Sequence, residues 1–354
     1  MSGRYKILIL GASYGSLLGT KLLLAGHDVT LVCLPAEAEL INAEGVRIRM
    51  PLKSGEMVEI DSRKAPGKLS AAGPEAVAPE KFDLVCLAMQ EPQYRSPGVR
   101  ELLARIGRAK VPAMSIMNMP PLPYLARLPG VDVRSIGSAS ADPSVWAPVS
   151  PELLTLCSPD PQAFRPQGEP TNVLQVSLPT NFKATRFEQE AHTKILRDLE
   201  AGVDAVRWPA GSDVELPVKL RVHDSVFVPL AKWAMLLTGN YRCVTAEGPR
   251  AIRDAVHSDI EASRAVYAWV REVCVALGAE DGDLVPFEKY ADAAKGLSSP
   301  SSAARALFAG AQNIERVDRL VQTLAVQKGM RNAVLDETVA LIDARLEQNR
   351  RAAA

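Results

Sequence analysis

The segment from Lys6 to Val32, KILILGASYGSLLGTKLLLAGHDVTLV, decides the fold that we expect for this chain. It begins as a short apolar strand, turns at glycine, continues as a helix and returns through Gly26 into a second apolar strand. This order predicts the opening βαβ unit of a dinucleotide-binding domain. Gly11 allows a tight turn off the strand, and Gly15 lets backbone N–H groups approach a pyrophosphate at the positive end of the helix.

The glycine spacing differs from the common G-x-G-x-x-G pattern, because Gly11, Gly15 and Gly19 follow one another at intervals of four and Ser13 replaces the middle glycine. Glycines alone also mark ordinary turns and helix packing. The flanking strands and helix nevertheless favour nucleotide binding over a βαβ unit without a ligand. The expected cofactor contacts are Gly11, Ala12, Ser13, Tyr14, Gly15, Ser16 and, after the second strand, Leu34.

The composition is typical of a globular protein with two domains. The chain has 354 residues, whereas single cores stop growing at about 250–300 residues. A hydrophobic share of 47% and a charged share of 23% exclude extensive disorder. With 41 acidic and 41 basic residues the formal net charge is zero, which disfavours nucleic acid or a membrane surface as a partner.

Cysteine and histidine usage excludes several other classes of site. The five cysteines are scattered and form no C-x-x-C pair, and the four histidines form no metal-ligand pattern, so we expect free thiols and no metal. No G-x-S-x-G motif suggests a serine hydrolase. No window approaches the ~18 apolar residues of a membrane span, and no cleavable leader is recognisable. We expect a soluble protein of the reducing cytoplasm.

The first part of the chain alternates predicted strands and helices. Apolar runs at 82–88 and 111–118 suit strands buried on both faces of a parallel sheet, and 99–110 has helical spacing between them. Residues 35–80 predict a short helix with small edge strands. The segment 142–175 is rich in proline and predicts irregular connections and short strands, with an edge strand at 173–178 and then a helix at 187–201.

From residue 211 the pattern is helical. The predicted helices cover 213–237, 250–278, 286–295, 301–328 and 333–350, with Ser212 or Asp213 capping the first and Asn332 the last. The predicted fold is therefore α/β followed by all-α. A Rossmann-like doubly wound parallel sheet covers 1–210 and a helical substrate domain covers 211–354. We expect the active cleft between them.

Lys219 and His223 are four residues apart and would share one face of the first helix of the helical domain. A lysine that is partly desolvated has a lowered pKa and can pass a proton to a developing alkoxide. Most lysines, however, are surface residues with apolar stem contacts. His223 fits a hydrogen-bonded helix residue as well as it fits a base.

Over most of its length the chain resembles the ketopantoate reductase (2-dehydropantoate 2-reductase) family. The glycine turn, a strand ending in Asn118, the pair Lys219-Leu220 and the helical C-terminal domain occur in that family's order. The resemblance implies that Lys219 is the catalytic general acid and base, and that Asn118 contacts nicotinamide and substrate. It also implies substrate binding by Asn240, in the segment LLTGN, and by Ser301.

The chain departs from the family pattern at several positions. Asn118 is followed by methionine instead of glycine. Asn313 stands where the family usually has a glutamate, and Glu315, two residues on, would lie on the wrong face of a helix. The second strand ends in the segment 32–35, which offers neither an acidic residue for ribose hydroxyls nor an arginine for a 2′-phosphate. NADP(H) is thus implied by the resemblance only, and NAD(H) stays open.

These observations predict an NAD(P)-dependent oxidoreductase that reduces a 2-oxo acid, ketopantoate or a related compound, to the 2-hydroxy acid. The resemblance implies a role in pantothenate biosynthesis, as a monomer or homodimer. Lys219 would donate the proton and Asn118 would orient substrate and nicotinamide, while Asn240, Ser301, Asn313 and His223 would bind the substrate. Two alternatives stay open: an opine-type dehydrogenase that reduces an imine, with His223 as acid and base, and a non-enzymatic nucleotide sensor.

Overall fold

The computed structural model describes residues 3–353 of the chain. The strands are β1 (Lys6–Leu10), β2 (Asp28–Val32), β3 (Arg47–Pro51), β4 (Met57–Asp61), β5 (Leu69–Ala72), β6 (Leu84–Leu87), β7 (Ala113–Ile116), β8 (Leu154–Ser158), β9 (Gln162–Phe164), β10 (Val173–Leu178), β11 (Phe182–Thr185) and β12 (Leu220–His223). The helices are α1 (Tyr14–Leu24), α2 (Pro35–Glu44), α3 (Pro97–Ala109), α4 (Leu122–Leu125), α5 (Glu190–Ala205), α6 (Lys232–Met235), α7 (Ile252–His257), α8 (Ile260–Leu277), α9 (Phe287–Ala294), α10 (Ser302–Phe308), α11 (Val317–Gln327) and α12 (Ala333–Ala352).

The larger of two sheets has the strand order β12-β11-β8-β7-β6-β1-β2-β5. Its strands from β8 to β5 are parallel, whereas β11 is antiparallel to β8 and parallel to β12. Strands β6 and β7 are buried along their whole length, as expected for parallel strands covered on both faces. The parallel sheet of the predicted Rossmann-like fold is therefore confirmed.

The smaller sheet has four strands in the order β4-β3-β10-β9. The prediction that 173–178 is an edge strand is wrong, because β10 lies between β3 and β9. These pairings join residues far apart in the chain, and local periodicity does not show them. The proline-rich segment 142–175 also supplies β8, which is fully buried in the larger sheet.

The described chain divides into two compact units, each built from several segments. Unit 1 comprises Met1–Met89, Gln93–Met117 and Val145–Val226, and unit 2 comprises Gln90–Pro92, Asn118–Ser144 and Phe227–Ala354. The expected domains 1–210 and 211–354 differ from this division. Unit 1 extends past residue 210 because β12 joins its sheet, and unit 2 includes two earlier segments.

The helix predicted over 213–237 is not formed. Residues 220–223 instead form β12, which pairs with β11, and α6 begins only at Lys232. Pro217 lacks the N–H that a helix interior needs, and the β-branched Val222 favours a strand. Ser212 and Asp213 therefore precede a strand, and the prediction that they cap a helix is wrong.

The remaining helices of unit 2 follow the sequence pattern more closely. Helices α9 and α12 lie where predicted, and the Asn332 side chain accepts a hydrogen bond from the Leu335 N–H at 3.1 Å, which confirms the predicted cap. The predicted helix 250–278 is divided into α7 and α8, and 301–328 is divided into α10 and α11. No described helix has the length and apolar character that a bilayer crossing needs.

Gly11 is required by both its backbone and its surroundings. Its φ is +104°, and a Cβ at this position would lie 2.8 Å from the Ala88 carbonyl oxygen. Gly26 has a similar φ of +90° but nothing within 4 Å of the position of a Cβ. We expect Gly26→Ala to cost about 1–2 kcal/mol of unfolding free energy, and Gly11→Ala to cost more because of the added collision. If urea unfolding shows the same loss of stability in both variants, the close approach of Gly11 to the Ala88 carbonyl is contradicted.

Candidate active site

The first candidate site is the glycine turn between β1 and α1 in unit 1. The Gly11 N–H donates to the Val32 carbonyl at 2.8 Å, so the turn lies against the end of β2. Ser13 is the N-cap residue of α1, and its side chain makes no capping hydrogen bond. The positive end of this helix is therefore not neutralised by its own cap, and the turn fits a pyrophosphate.

The other residues of the glycine pattern have structural reasons for their size. A Cβ on Gly15 would lie 2.7 Å from the Ile9 side chain, and a Cβ on Gly19 would lie 3.3 Å from the Val29 side chain. The spacing of four therefore places glycine where α1 packs closely on the sheet. Ser16 donates its hydroxyl to the Ala12 carbonyl at 2.6 Å and stabilises the turn.

Two charged side chains near the turn were missed by the sequence analysis. Glu37 lies in the first turn of α2, and Arg165 follows β9 of the smaller sheet. The Arg165 guanidinium pairs with the Glu37 carboxylate and lies 3.4 Å from the Ala12 carbonyl oxygen. Leu34, an expected cofactor contact, precedes α2 with 74% of its surface exposed.

The second candidate site is a polar cluster in unit 2 around the carboxylate of Glu315. The Asn118 side-chain amide lies 3.5 Å from one carboxylate oxygen, and the Glu91 backbone N–H donates to the other at 3.3 Å. The Asn118 Oδ1 atom is buried and has no hydrogen-bond partner among the described residues. Buried polar atoms are normally paired, so this oxygen fits a donor supplied by a ligand.

Burial raises the pKa of the Glu315 carboxyl to about 7, and the charge of Glu91 acts in the same direction. The hydrogen bonds from Glu91 and Asn118 and the positive charge of Lys232 oppose this rise in the pKa. Glu91 is itself buried, and both of its carboxylate oxygens accept from the Ala141 N–H, at 3.1 and 3.2 Å. The cluster thus holds a carboxyl that can change its protonation state near neutral pH.

The segment that carries Glu315 is not helical, and this corrects the expectation for Asn313. Helix α10 ends at Phe308, and α11 begins only at Val317. The Tyr241 hydroxyl donates to the Glu315 carbonyl at 2.5 Å and accepts from the Val317 N–H at 3.1 Å, which fixes the segment. Glu315 is therefore not on a helix face, and Glu315, not Asn313, lies next to Asn118.

Lys232 is the functional candidate that the sequence analysis missed. It is the first residue of α6, and the helical run continues as a π-helical turn from Leu236 to Asn240. Such turns are frequent at functional sites. The resemblance implied a catalytic lysine on a helix that begins with Lys-Leu; Lys232 begins α6, although Trp233 follows it. The segment KWAMLLTGN begins at Lys232, but the helix predicted over 213–237 hid the fact that a helix begins at this lysine.

Lys219 and His223 belong to unit 1. The Lys219 ammonium lies 3.1 Å from a Glu215 oxygen and 3.5 Å from an Asp204 oxygen, immediately before β12. His223 ends that strand, and burial lowers its pKa. The helix that was predicted to carry both residues is not formed, and His223 lies on β12. The prediction that Lys219 and His223 share one helix face is therefore wrong.

Ser301 and Asn240 are adjacent in unit 2. The Ser301 hydroxyl donates to the Asn240 carbonyl at 2.7 Å and accepts from the Ala304 N–H at 3.1 Å, so it caps α10. Ser301 is only 2% exposed. It therefore positions the main chain of Asn240, whose side chain is partly exposed. Among residues 3–353, no three His, Cys, Asp or Glu side chains converge as metal ligands.

No family model and no curated protein matches the chain. Solved structures do match. A probable 2-dehydropantoate 2-reductase from Bacillus subtilis is 17% identical, covering 96% of this chain and 99% of that chain, with a TM-score of 0.62. A putative ketopantoate reductase from Ralstonia solanacearum MolK2 is 15% identical, covering 98% and 99%, with a TM-score of 0.64.

A D-mandelate dehydrogenase, solved with NADH and anilino(oxo)acetate, is 14% identical, covering 98% of this chain and 99% of that chain, with a TM-score of 0.64. At such identities the likeness shows the fold. The resemblance predicted from the motifs is confirmed at this level: the chain has the fold of the ketopantoate reductases and of D-mandelate dehydrogenase.

Proposed function

We propose that this protein is an oxidoreductase that reduces a 2-oxo acid to a 2-hydroxy acid with a nicotinamide cofactor. The observation that carries the proposal is the buried polar cluster of unit 2, in which Glu315 lies between Asn118 and Glu91 and within the electrostatic influence of Lys232. Most buried polar atoms in folded proteins are paired. The unpartnered Asn118 Oδ1 therefore favours a ligand-binding role.

The residues of unit 1 fit the pyrophosphate end of such a cofactor. The turn from Gly11 to Ser16 would hold the two phosphates at the start of α1, where Ser13 leaves the helix end without a side-chain cap. When bound, the nicotinamide cofactor would supply the hydride. The Asn118 side chain would orient the reacting groups by accepting a hydrogen bond at Oδ1.

Lys232 is the proposed proton donor in place of Lys219. An ammonium group can stabilise the negative charge that develops on a carbonyl oxygen and then transfer a proton to it. Glu315 would hold that ammonium in position and, with a pKa of about 7, can change its protonation state near neutral pH. Asn240, eight residues after Lys232 on the same helical run, would bind the substrate.

The chemistry in the names of the structural neighbours supports the substrate class. Two are described as ketopantoate or 2-dehydropantoate reductases, and a third was solved with NADH and anilino(oxo)acetate. Ketopantoate is therefore the first substrate to test, together with an aromatic 2-oxo acid. A role in pantothenate synthesis follows only if ketopantoate is the preferred member of the panel.

The test is the loss of NADH or NADPH absorbance with a panel of 2-oxo acids, each assayed with and without an added amino acid. We expect oxidation with a 2-oxo acid alone. Oxidation only when an amine is present would favour the opine-type alternative. Cofactor binding by calorimetry without oxidation by any member of the panel would contradict the reductase and favour a nucleotide sensor.

A further inference from the structure

We propose that the ion pair between Glu37 and Arg165 makes the protein select NAD(H), which lacks a 2′-phosphate, over NADP(H). This inference rests on the proposed nicotinamide-cofactor site and names the form of the cofactor that the site accepts. It concerns the adenosine end of the cofactor, where the sequence around residues 32–35 offers no charged side chain.

The pair lies at the glycine turn. One guanidinium nitrogen of Arg165, Nη2, both pairs with the Glu37 carboxylate and lies 3.4 Å from the Ala12 carbonyl oxygen. The Glu37 side chain is 14% exposed and that of Arg165 is 36% exposed. The carboxylate is therefore held close to the turn by a side chain that the smaller sheet supplies.

Electrostatic effects on Cys33, the residue directly after β2, place the pair near the end of that strand. Burial raises the pKa of the Cys33 thiol to about 11; the charge of Glu37 adds to the rise in this pKa and that of Arg165 opposes it. Both charges thus act at the carboxyl end of β2. No other residue from Val32 to Leu34 is ionisable.

This location corresponds to the adenosine ribose. In βαβ nucleotide sites, an acidic residue about 20 residues beyond the glycine turn accepts hydrogen bonds from the ribose hydroxyls, whereas an arginine accommodates a 2′-phosphate. Glu37 has the required spacing from Gly15. Glu37 lies two residues beyond the segment 32–35, and Arg165 is too far along the chain to be found by local spacing.

The arrangement favours the ribose hydroxyls over the phosphate. Glu37 can accept hydrogen bonds from two hydroxyl groups while Arg165 fixes its orientation. A 2′-phosphate would carry about two negative charges next to the Glu37 carboxylate, and would compete with that carboxylate for Arg165. Repulsion between the phosphate and the Glu37 carboxylate, together with their competition for Arg165, opposes NADP(H).

Equilibrium binding tests this selectivity without turnover. Calorimetry would compare NADH with NADPH, and 5′-AMP with adenosine 2′,5′-bisphosphate. We expect the wild type to bind the ligands without a 2′-phosphate at least about tenfold more tightly. In Glu37→Gln, which keeps the size of the side chain and releases Arg165, the preference should move about tenfold towards the 2′-phosphorylated ligands.

Glu39→Gln is the matched control. Glu39 lies on the same helix, carries the same charge and is exposed, so its substitution should leave the ratio of affinities unchanged. Arg165→Met should not weaken the preference for NADH, because the negative charge of Glu37 remains.

Tighter binding of NADPH than of NADH by the wild type, or an unchanged ratio in Glu37→Gln, would overturn the inference. A loss of NADPH binding in Arg165→Met from a wild type that prefers NADPH would assign Arg165 to the 2′-phosphate instead. A preference for NADH without reduction of any 2-oxo acid would support the selectivity and contradict the reductase. Turnover of a 2-oxo acid with a preference for NADPH would support the reductase and contradict the selectivity.

Discussion

Replacement of Lys232 by methionine is expected to reduce the turnover of a 2-oxo acid by about 10²–10⁴-fold while the protein remains folded. Methionine keeps most of the length of the side chain and removes its charge and its transferable protons. The effect should fall mainly on kcat, because the proposed interaction strengthens as charge develops on the carbonyl oxygen. Steady-state kinetics together with a urea unfolding curve would measure both parts of the prediction.

Lys219→Met is the informative comparison, since the family resemblance implied the same role for that lysine. In the structure the Lys219 ammonium pairs with Glu215 and Asp204 in unit 1. Its substitution should leave kcat within a few-fold of the wild type. A large loss of kcat in Lys219→Met, with normal turnover in Lys232→Met, would return the catalytic role to Lys219 and refute the assignment made from the structure.

The second large effect concerns the dependence of stability on pH. Burial raises the pKa of Glu315 in the folded protein to about 7 from the ordinary value of 4.5. Below pH 4.5 the carboxyl is protonated in both the folded and the unfolded state, so it does not lower the free energy of unfolding. As the pH rises towards 7, the unfolded chain loses this proton first, so the folded state becomes relatively less stable. Above pH 7 the raised pKa lowers the free energy of unfolding by about 3 kcal/mol.

Glu315→Gln should therefore become more stable than the wild type as the pH rises, with the change concentrated between the two pKa values. Urea unfolding at a series of pH values would measure the difference, which removes the contribution of the other carboxyl groups. Glu337→Gln, at an exposed position on α12, should show no such trend. A difference between Glu315→Gln and the wild type that is constant from pH 4 to pH 8 would contradict the raised pKa.

The parts of the fold that could be predicted are those with local causes. The apolar run of β1, the glycines and the apolar spacing of α1 define the βαβ unit within a single segment. The Asn332 cap and α12 were likewise predictable, because the capping group and its target lie three residues apart. In each of these elements the residues that determine the structure are neighbours in the sequence.

The rest depends on contacts between distant residues. Pro217 and Val222 already oppose a helix at β12, but the strand itself is defined by its pairing with β11. The error displaced the start of the helical unit and hid Lys232. The Glu37–Arg165 pair is formed by residues 128 positions apart, and its members carry no motif that spacing alone would identify.

The family resemblance predicted more of the candidate site than composition or periodicity did. It placed Asn118, Asn240 and Ser301 in one family pattern, and all three lie in unit 2 of the structure. It failed at Asn313 because the segment before α11 was taken to be helical. Residue spacing identifies side chains on one face only when the secondary structure is known, and here the loop turns Glu315 towards Asn118.

The most direct test of the central claim uses a reduced cofactor deuterated at the nicotinamide carbon that gives up its hydride. The reductase proposal predicts that the label appears at C2 of the 2-hydroxy acid product, detected by mass spectrometry and NMR, and that Lys232→Met forms this product far more slowly. Saturation of the protein with the same cofactor, but no labelled product from any 2-oxo acid tested, would contradict it.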